Sequence, residues 1–305
     1  MADLFETRSQ SPAENPKLKT RNWLNALQLM RIPFSIFLMP VFWFALINIQ
    51  VDVSKAILAF IAIHLFLYPA SNGYNSYFDR DEQSIGGLKN PPKVTKELWY
   101  LILLFDFLSI LFATFVSVAF AFMAFIYLII SKAYSYDKIR LKKFPIIGAL
   151  TVVFFQGFWT YMMVQVGVSA SSEIFYRENF LLAVVSSLFL LGSYPITQIY
   201  QHDEDSKHGD RSLSLFLGVN GTFLFSSLAF LLASVLLIYV FLEALYFNFV
   251  IIYLIAMLPV NIYFFNWYND YRKGKPVITF ERMMKLNVMS SLLLSSAFIV
   301  MLILK

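Results

Sequence analysis

The chain has 305 residues, of which 59% are hydrophobic and 14% charged, and its mean hydropathy is +0.65. Soluble domains are roughly half apolar, and repeated apolar runs of about 20 residues mark an all-α, multi-span membrane protein, since the period-2 alternation of a barrel is absent. The net charge of +5 does not indicate a nucleic-acid partner, because the basic residues sit in short loops between apolar runs; with no cysteine, disulfides, thiolate zinc sites and cysteine nucleophiles are excluded.

Residues 1–20 read as a polar cytoplasmic tail without the apolar stretch of a cleavable signal peptide, and residues 21–305 as one transmembrane domain. Nine spans are predicted: 25–48, 55–79, 97–116, 118–134, 145–168, 179–202, 219–241, 245–267 and 283–304. With the N-terminus inside, only Lys55, Arg177 and Lys305 of the 24 basic residues face outward. The positive-inside rule therefore predicts a cell (inner) membrane protein with a cytoplasmic N-terminus and an external C-terminus. The four longer loops, after spans 2, 4, 6 and 8, then share the cytoplasmic face.

A polar stretch at the end of span 2, Tyr68 to Asp79, returns 126 residues later at the end of span 6, Tyr194 to Asp205. Tyr68 matches Tyr194, Asn72 matches Gln198, Asn75 matches Gln201 and Asp79 matches Asp205. At 3.6 residues per turn each set is predicted to share one helix face, carrying an aromatic, two carboxamides and a carboxylate. Two parallel four-helix pseudo-repeats plus a ninth helix is the simplest architecture, and repeats with a site at their interface are common in membranes.

The loop after span 2 contains Asp79, Asp81 and Glu82, followed by Gly86, Gly87 and Lys89. The loop after span 6 contains Asp203, Glu204, Asp205 and Asp210 with Lys207 and Arg211. Facing carboxylates and amides suit a hard divalent cation, and basic residues among them suit a metal-bound diphosphate. After span 4, the segment from Lys132 to Lys143 holds five basic residues, a candidate phosphate clamp with Tyr134 and Ser135 facing the cavity. Asp106 reads either as a functional carboxylate or as half of an ion pair within the bundle. His64 reads as a hydrogen-bonded core residue.

These residues together resemble the UbiA superfamily of membrane prenyltransferases along essentially the whole chain. The family's first aspartate-rich motif is matched by Asn75 to Gln83, followed by Lys89-Asn90-Pro91-Pro92. The second is matched by Gln201 to Asp205, continuing through Gly209, Arg211, Ser212 and Leu213. Tyr134-Ser135 with Lys138 resembles the segment after the fourth helix. Gln83 and Gln201 stand where the family carries aspartate, each losing a charge but keeping an oxygen donor; Asp81, Asp203 and Glu204 are candidates to compensate.

The resemblance implies transfer of a prenyl group from a prenyl diphosphate to a hydrophobic, expectedly aromatic acceptor such as a quinone precursor, within the bilayer. It implies Mg2+ held by Asn75, Asp79, Asp81 and Asp205, with Asp79, Asp205, Asn75 and Tyr134 as catalytic residues. Lys138, Arg140, Lys207, Arg211, Ser135, Gln201, Asn72 and Gln198 are the expected diphosphate-binding set. A carrier of an anionic lipid or metabolite, or a catalytically altered binding member of the same fold, are the rival readings.

Overall fold

The computed structural model describes residues 16–169, 172–209 and 211–305. Nine helices among the described residues are long and apolar enough to cross a membrane. They are α1 (Lys19–Leu46), α2 (Val53–Asp79), α3 (Lys96–Val116), α4 (Val118–Ser135), α5 (Pro145–Val168), α6 (Arg177–Gln198), α7 (Leu213–Glu243), α8 (Phe247–Arg272) and α9 (Phe280–Leu304). No strand occurs among the described residues beyond one isolated bridge between Ile85 and Leu88. The predicted spans are all present in order, with ends shifted by a few residues. Within the segment read as a polar tail, the described chain is helical from Pro16, and proline suits a first helical turn, where its missing N–H costs nothing.

Three irregularities shape the interior. In α1, Arg31 takes a left-handed conformation (φ 50°, ψ 44°) and a 3-10 stretch, Ile32–Leu38, follows. Pro33 explains the break, since its ring disfavours helix in the residue before it and it offers no N–H. The break turns Arg31 inward, leaving it buried. In α2, Asp52 caps the start by accepting from the Lys55 N–H at 3.1 Å, and the helix widens to π geometry over Ile61–Leu67. A second π stretch, Phe154–Trp159, lies in α5.

The second motif differs from its prediction. Residues 194, 198, 201 and 205 do not share one continuous helix face, because α6 ends at Gln198 and a separate short helix, His202–His208, follows. Asp203, Glu204 and Asp205 occupy the first turn of that short helix, where negative charge stabilises exposed N–H groups and favours a fresh start. The seventh span also begins earlier than the predicted 219, at Leu213, kinking at Gly218, whose φ of 65° only glycine adopts easily.

The buried polar groups are mostly paired. Asp106 of α3 forms an ion pair with Lys132 of α4 at 2.8 Å, which settles it as half of a pair within the bundle. Gln165 donates to Asn179, Tyr161 and the Ala45 carbonyl, tying α5 to α6 and α1. His64 is fully buried among the rings of Phe42, Phe60 and Tyr68, but neither ring nitrogen has a hydrogen-bond partner among the described residues. Aromatic packing holds it, with the Ser35 backbone as its polar neighbour.

Candidate active site

The helix ends and the interior enclose one cavity of about 400 Å³, within the range of small-molecule sites. Asp79, Asp81, Glu204 and Asp205 line its mouth together with Arg31, Arg140 and Lys142. Deeper in, the wall becomes aromatic, with Tyr68, Tyr127, Phe155, Phe189 and Phe264. Phe44 and Phe298 also line it, their rings stacked at a centroid distance of 4.6 Å.

Asp79 ends α2 and is 9% exposed. It pairs with Arg140 at 3.4 Å and with Lys142. Beside it, the Ser135 hydroxyl donates to Asn75 Oδ1 at 2.7 Å. That bond fixes the carboxamide while one lone pair of its oxygen remains open. Tyr134 shares a 2.7 Å hydrogen bond with the Tyr194 hydroxyl, and both side chains line the cavity. Asn72 and Gln198 line it as well; the Gln198 oxygen accepts from the Ser214 N–H at 3.5 Å.

The loop after α2 lies across the mouth as a strap. Its turn closes with paired backbone hydrogen bonds between Ile85 and Leu88, and Ile85 is buried against the cavity. Gly87, at φ 88°, lets the backbone press on the Phe34 ring, where a Cβ would come within 2.9 Å of a ring carbon. Arg31 donates to the Gly86 carbonyl at 3.2 Å and to the Asn72 carbonyl at 3.1 Å. Lys89 pairs with Glu281 at the start of α9. Asp81 therefore stays at the mouth, where burial and the neighbouring Asp79 raise its carboxyl to about 6, with Lys142 opposing the shift.

Of the predicted residues, the cavity brings together Asn72, Asn75, Asp79, Asp81, Tyr134, Ser135, Arg140, Gln198, Gln201 and Asp205. Lys138, Lys207 and Arg211 are exposed and do not line it, and Asp210 lies outside the described residues. Gln201 turns its amide to the Ser84 carbonyl at 3.0 Å. Glu204, a candidate compensating carboxylate, and Lys142, within the candidate phosphate clamp, line the cavity, as do Arg31 and Tyr194, which the sequence reading did not place in the site. Arg31 had a signal, as a charge inside a predicted span. Tyr194 had one too, as the counterpart of Tyr68.

Residues 37–289 match the sequence profile of the UbiA prenyltransferase family. The chain belongs to that family. Solved structures with this fold include a UbiA homolog from Archaeoglobus fulgidus bound to GPP and Mg2+, with a TM-score of 0.69 and 19% identity, covering 91% of this chain and 99% of that one. The same homolog bound to DMAPP and Mg2+ aligns with a TM-score of 0.65 at 18% identity, covering 92% and 100%. An apo UbiA homolog from Aeropyrum pernix K1 gives 0.68 at 20% identity, covering 88% and 98%. None of the curated proteins matches the sequence.

The mouth's donors suit a hard divalent cation, being carboxylate and carboxamide oxygens. No three His, Cys, Asp or Glu side chains among the described residues converge enough to hold an ion unaided. Magnesium is usually held by one or two carboxylates, with waters and substrate phosphates completing its shell, and this mouth fits that habit.

Proposed function

We propose that the protein transfers a prenyl group from a prenyl diphosphate to a hydrophobic, aromatic acceptor inside the membrane. The observation that carries the reading is one cavity with carboxylates and cations at its mouth and aromatic rings in its depth. The A. fulgidus homolog of the same fold binds GPP with Mg2+, which supports extending that ligand class to this chain.

Asp79, Asp81, Asp205 and the Asn75 oxygen would hold Mg2+. When bound, the ion supplies Lewis-acid neutralisation of the diphosphate, easing its departure. Arg140 and Lys142, already beside Asp79, take phosphate oxygens as charge-assisted donors. The Tyr134 hydroxyl, held by its hydrogen bond with Tyr194 at the cavity wall, would present a polar group to the diphosphate oxygens. As the carbon–oxygen bond breaks, its electron pair leaves with the diphosphate. The allylic cation is then surrounded by ring faces, which attract positive charge, and the apolar walls exclude water until a ring carbon of the acceptor attacks, its displaced proton passing to the released diphosphate. The mouth is read as facing the cytoplasm, on the charge distribution alone.

Purified protein in detergent or lipid discs is expected to release diphosphate from geranyl diphosphate only when Mg2+ and an aromatic acceptor are supplied. Release that persists with a chelator, or in the Asp79→Ala variant, would overturn the reading. Uptake of the substrate into vesicles without its conversion would favour a carrier instead.

A further inference from the structure

The family's second motif begins with aspartate at the position Gln201 occupies, and in this chain Gln201 is committed elsewhere. Its amide donates to the Ser84 carbonyl at 3.0 Å, so the side chain acts as a tie to the strap. One helical turn on, Glu204 is 6% exposed and lines the cavity. Its Oε1 accepts from the backbone N–H groups of Glu82 and Gln83, both at 3.3 Å. Its Oε2 is buried and has no hydrogen-bond partner among the described residues. Leaving a carboxylate oxygen buried and unsatisfied is costly unless something positive arrives.

We propose, resting on the prenyl-transfer reading above, that Glu204 supplies the second-motif carboxylate that Gln201 no longer provides. One oxygen pins the strap, and with it Asp81, at the mouth; the other is a ligand for the magnesium that accompanies the diphosphate. At 100° per residue Glu204 lies only about 60° around a helix axis from Gln201, so the two positions share a face. Glu204 sits in the first turn of the short helix that Gln201 opens and reaches inward to the cavity. Asp203, the other neighbouring candidate, is exposed.

The test uses the full chain in lipid discs and Mn2+ as a paramagnetic substitute, titrated by electron spin resonance with a non-hydrolysable geranyl diphosphate analogue. Glu204→Gln keeps an oxygen that can accept from Glu82 and Gln83, so amide exchange at residues 82–84 should stay unchanged. Its Mn2+ affinity should fall at least about tenfold, the scale on which metal sites respond to losing a supporting group. Adding Gln201→Asp should restore most of the loss. Unchanged Mn2+ affinity in Glu204→Gln would overturn the proposal. So would weaker binding accompanied by faster exchange in the strap, which would make Glu204 a structural tie alone, or failure of Gln201→Asp to rescue. Asp79→Ala separates the two levels. If it loses Mn2+ while Glu204→Gln does not, only the Glu204 assignment fails; if neither variant loses it, the underlying reading fails as well.

Discussion

In the first motif the helix runs unbroken from Tyr68 to Asp79, so Asn72, Asn75 and Asp79 climb one face towards the mouth. In the second, α6 stops at Gln198, and Gln201 and Asp205 reach the same cavity across a turn and a new helix. The first half offers a stiff rail for the carboxylate that both Arg140 and Lys142 engage. The second half offers a carboxylate-rich helix start that also grips the strap through Glu204. Similar residues on different backbones are thus given different work, with the first half placing charge and the second half arranging the lid.

The sharpest way to break this contrast is to remove one aspartate at a time. Asp79→Ala is expected to lower kcat/KM for diphosphate release by at least about 100-fold, as losses of charge stabilisation in a dry site do. Asp205→Ala should cost less, on the order of tenfold, and equal losses would erase the distinction between the halves. Next, Lys142→Ala should raise the KM for prenyl diphosphate about tenfold, the loss of one charge-assisted contact. Lys138→Ala, Lys207→Ala and Arg211→Ala should each stay within about twofold, as exposed surface changes usually do. Steady-state kinetics on all six variants checks this ordering.

Acidity probes the same region. Because burial and Asp79 raise Asp81 from 3.8 to about 6, the folded protein holds that proton more tightly than the unfolded chain. Its contribution to the stability of metal-free protein is therefore full below pH 3.8 and is lost as pH rises through about 6. Metal binding runs the other way, since the ligand must be ionised. Magnesium-dependent turnover should fall about fivefold between pH 6 and 5 for a carboxyl titrating at about 6, and Asp81→Asn should flatten that limb of the profile. A modest effect is expected from Ser135→Ala, which frees the Asn75 carboxamide at a cost of about 1 kcal/mol, or roughly fivefold in kcat/KM.

How much of this could be read from residues alone differs between the halves for physical reasons. The nine spans were legible because bilayer thickness forces long apolar runs. The stripe from Tyr68 to Asp79 was legible because the helix there keeps its period to the last residue. The second stripe was misplaced because three carboxylates start a new helix at His202, and periodicity cannot anticipate that restart. That Lys142 rather than Lys138 stands beside Asp79 has a related cause. Arg140 sits in a left-handed turn (φ 42°, ψ 61°) before a 3-10 stretch, Leu141–Lys143, and that bend carries Lys142 to Asp79 while Lys138 stays outside. Arg31 stands out as a charge inside a span, but what aims it inward is the backbone break at Pro33, which periodicity does not show.

The Asp106–Lys132 pair bears on how the protein is built as well as on how it stands. α3 and α4 are joined by Ser117 alone, so they form a tight hairpin with one opposite charge in each arm. A lone aspartate at a span centre costs about 2.5–3.5 kcal/mol on the translocon scale. That cost falls when both arms move from translocon to lipid together, with the charges already neutralised. Biogenesis of this hairpin is therefore expected to be all-or-none. Lys132→Met should leave α3 poorly inserted in a glycosylation-mapping assay, and the double change with Asp106→Leu should restore insertion.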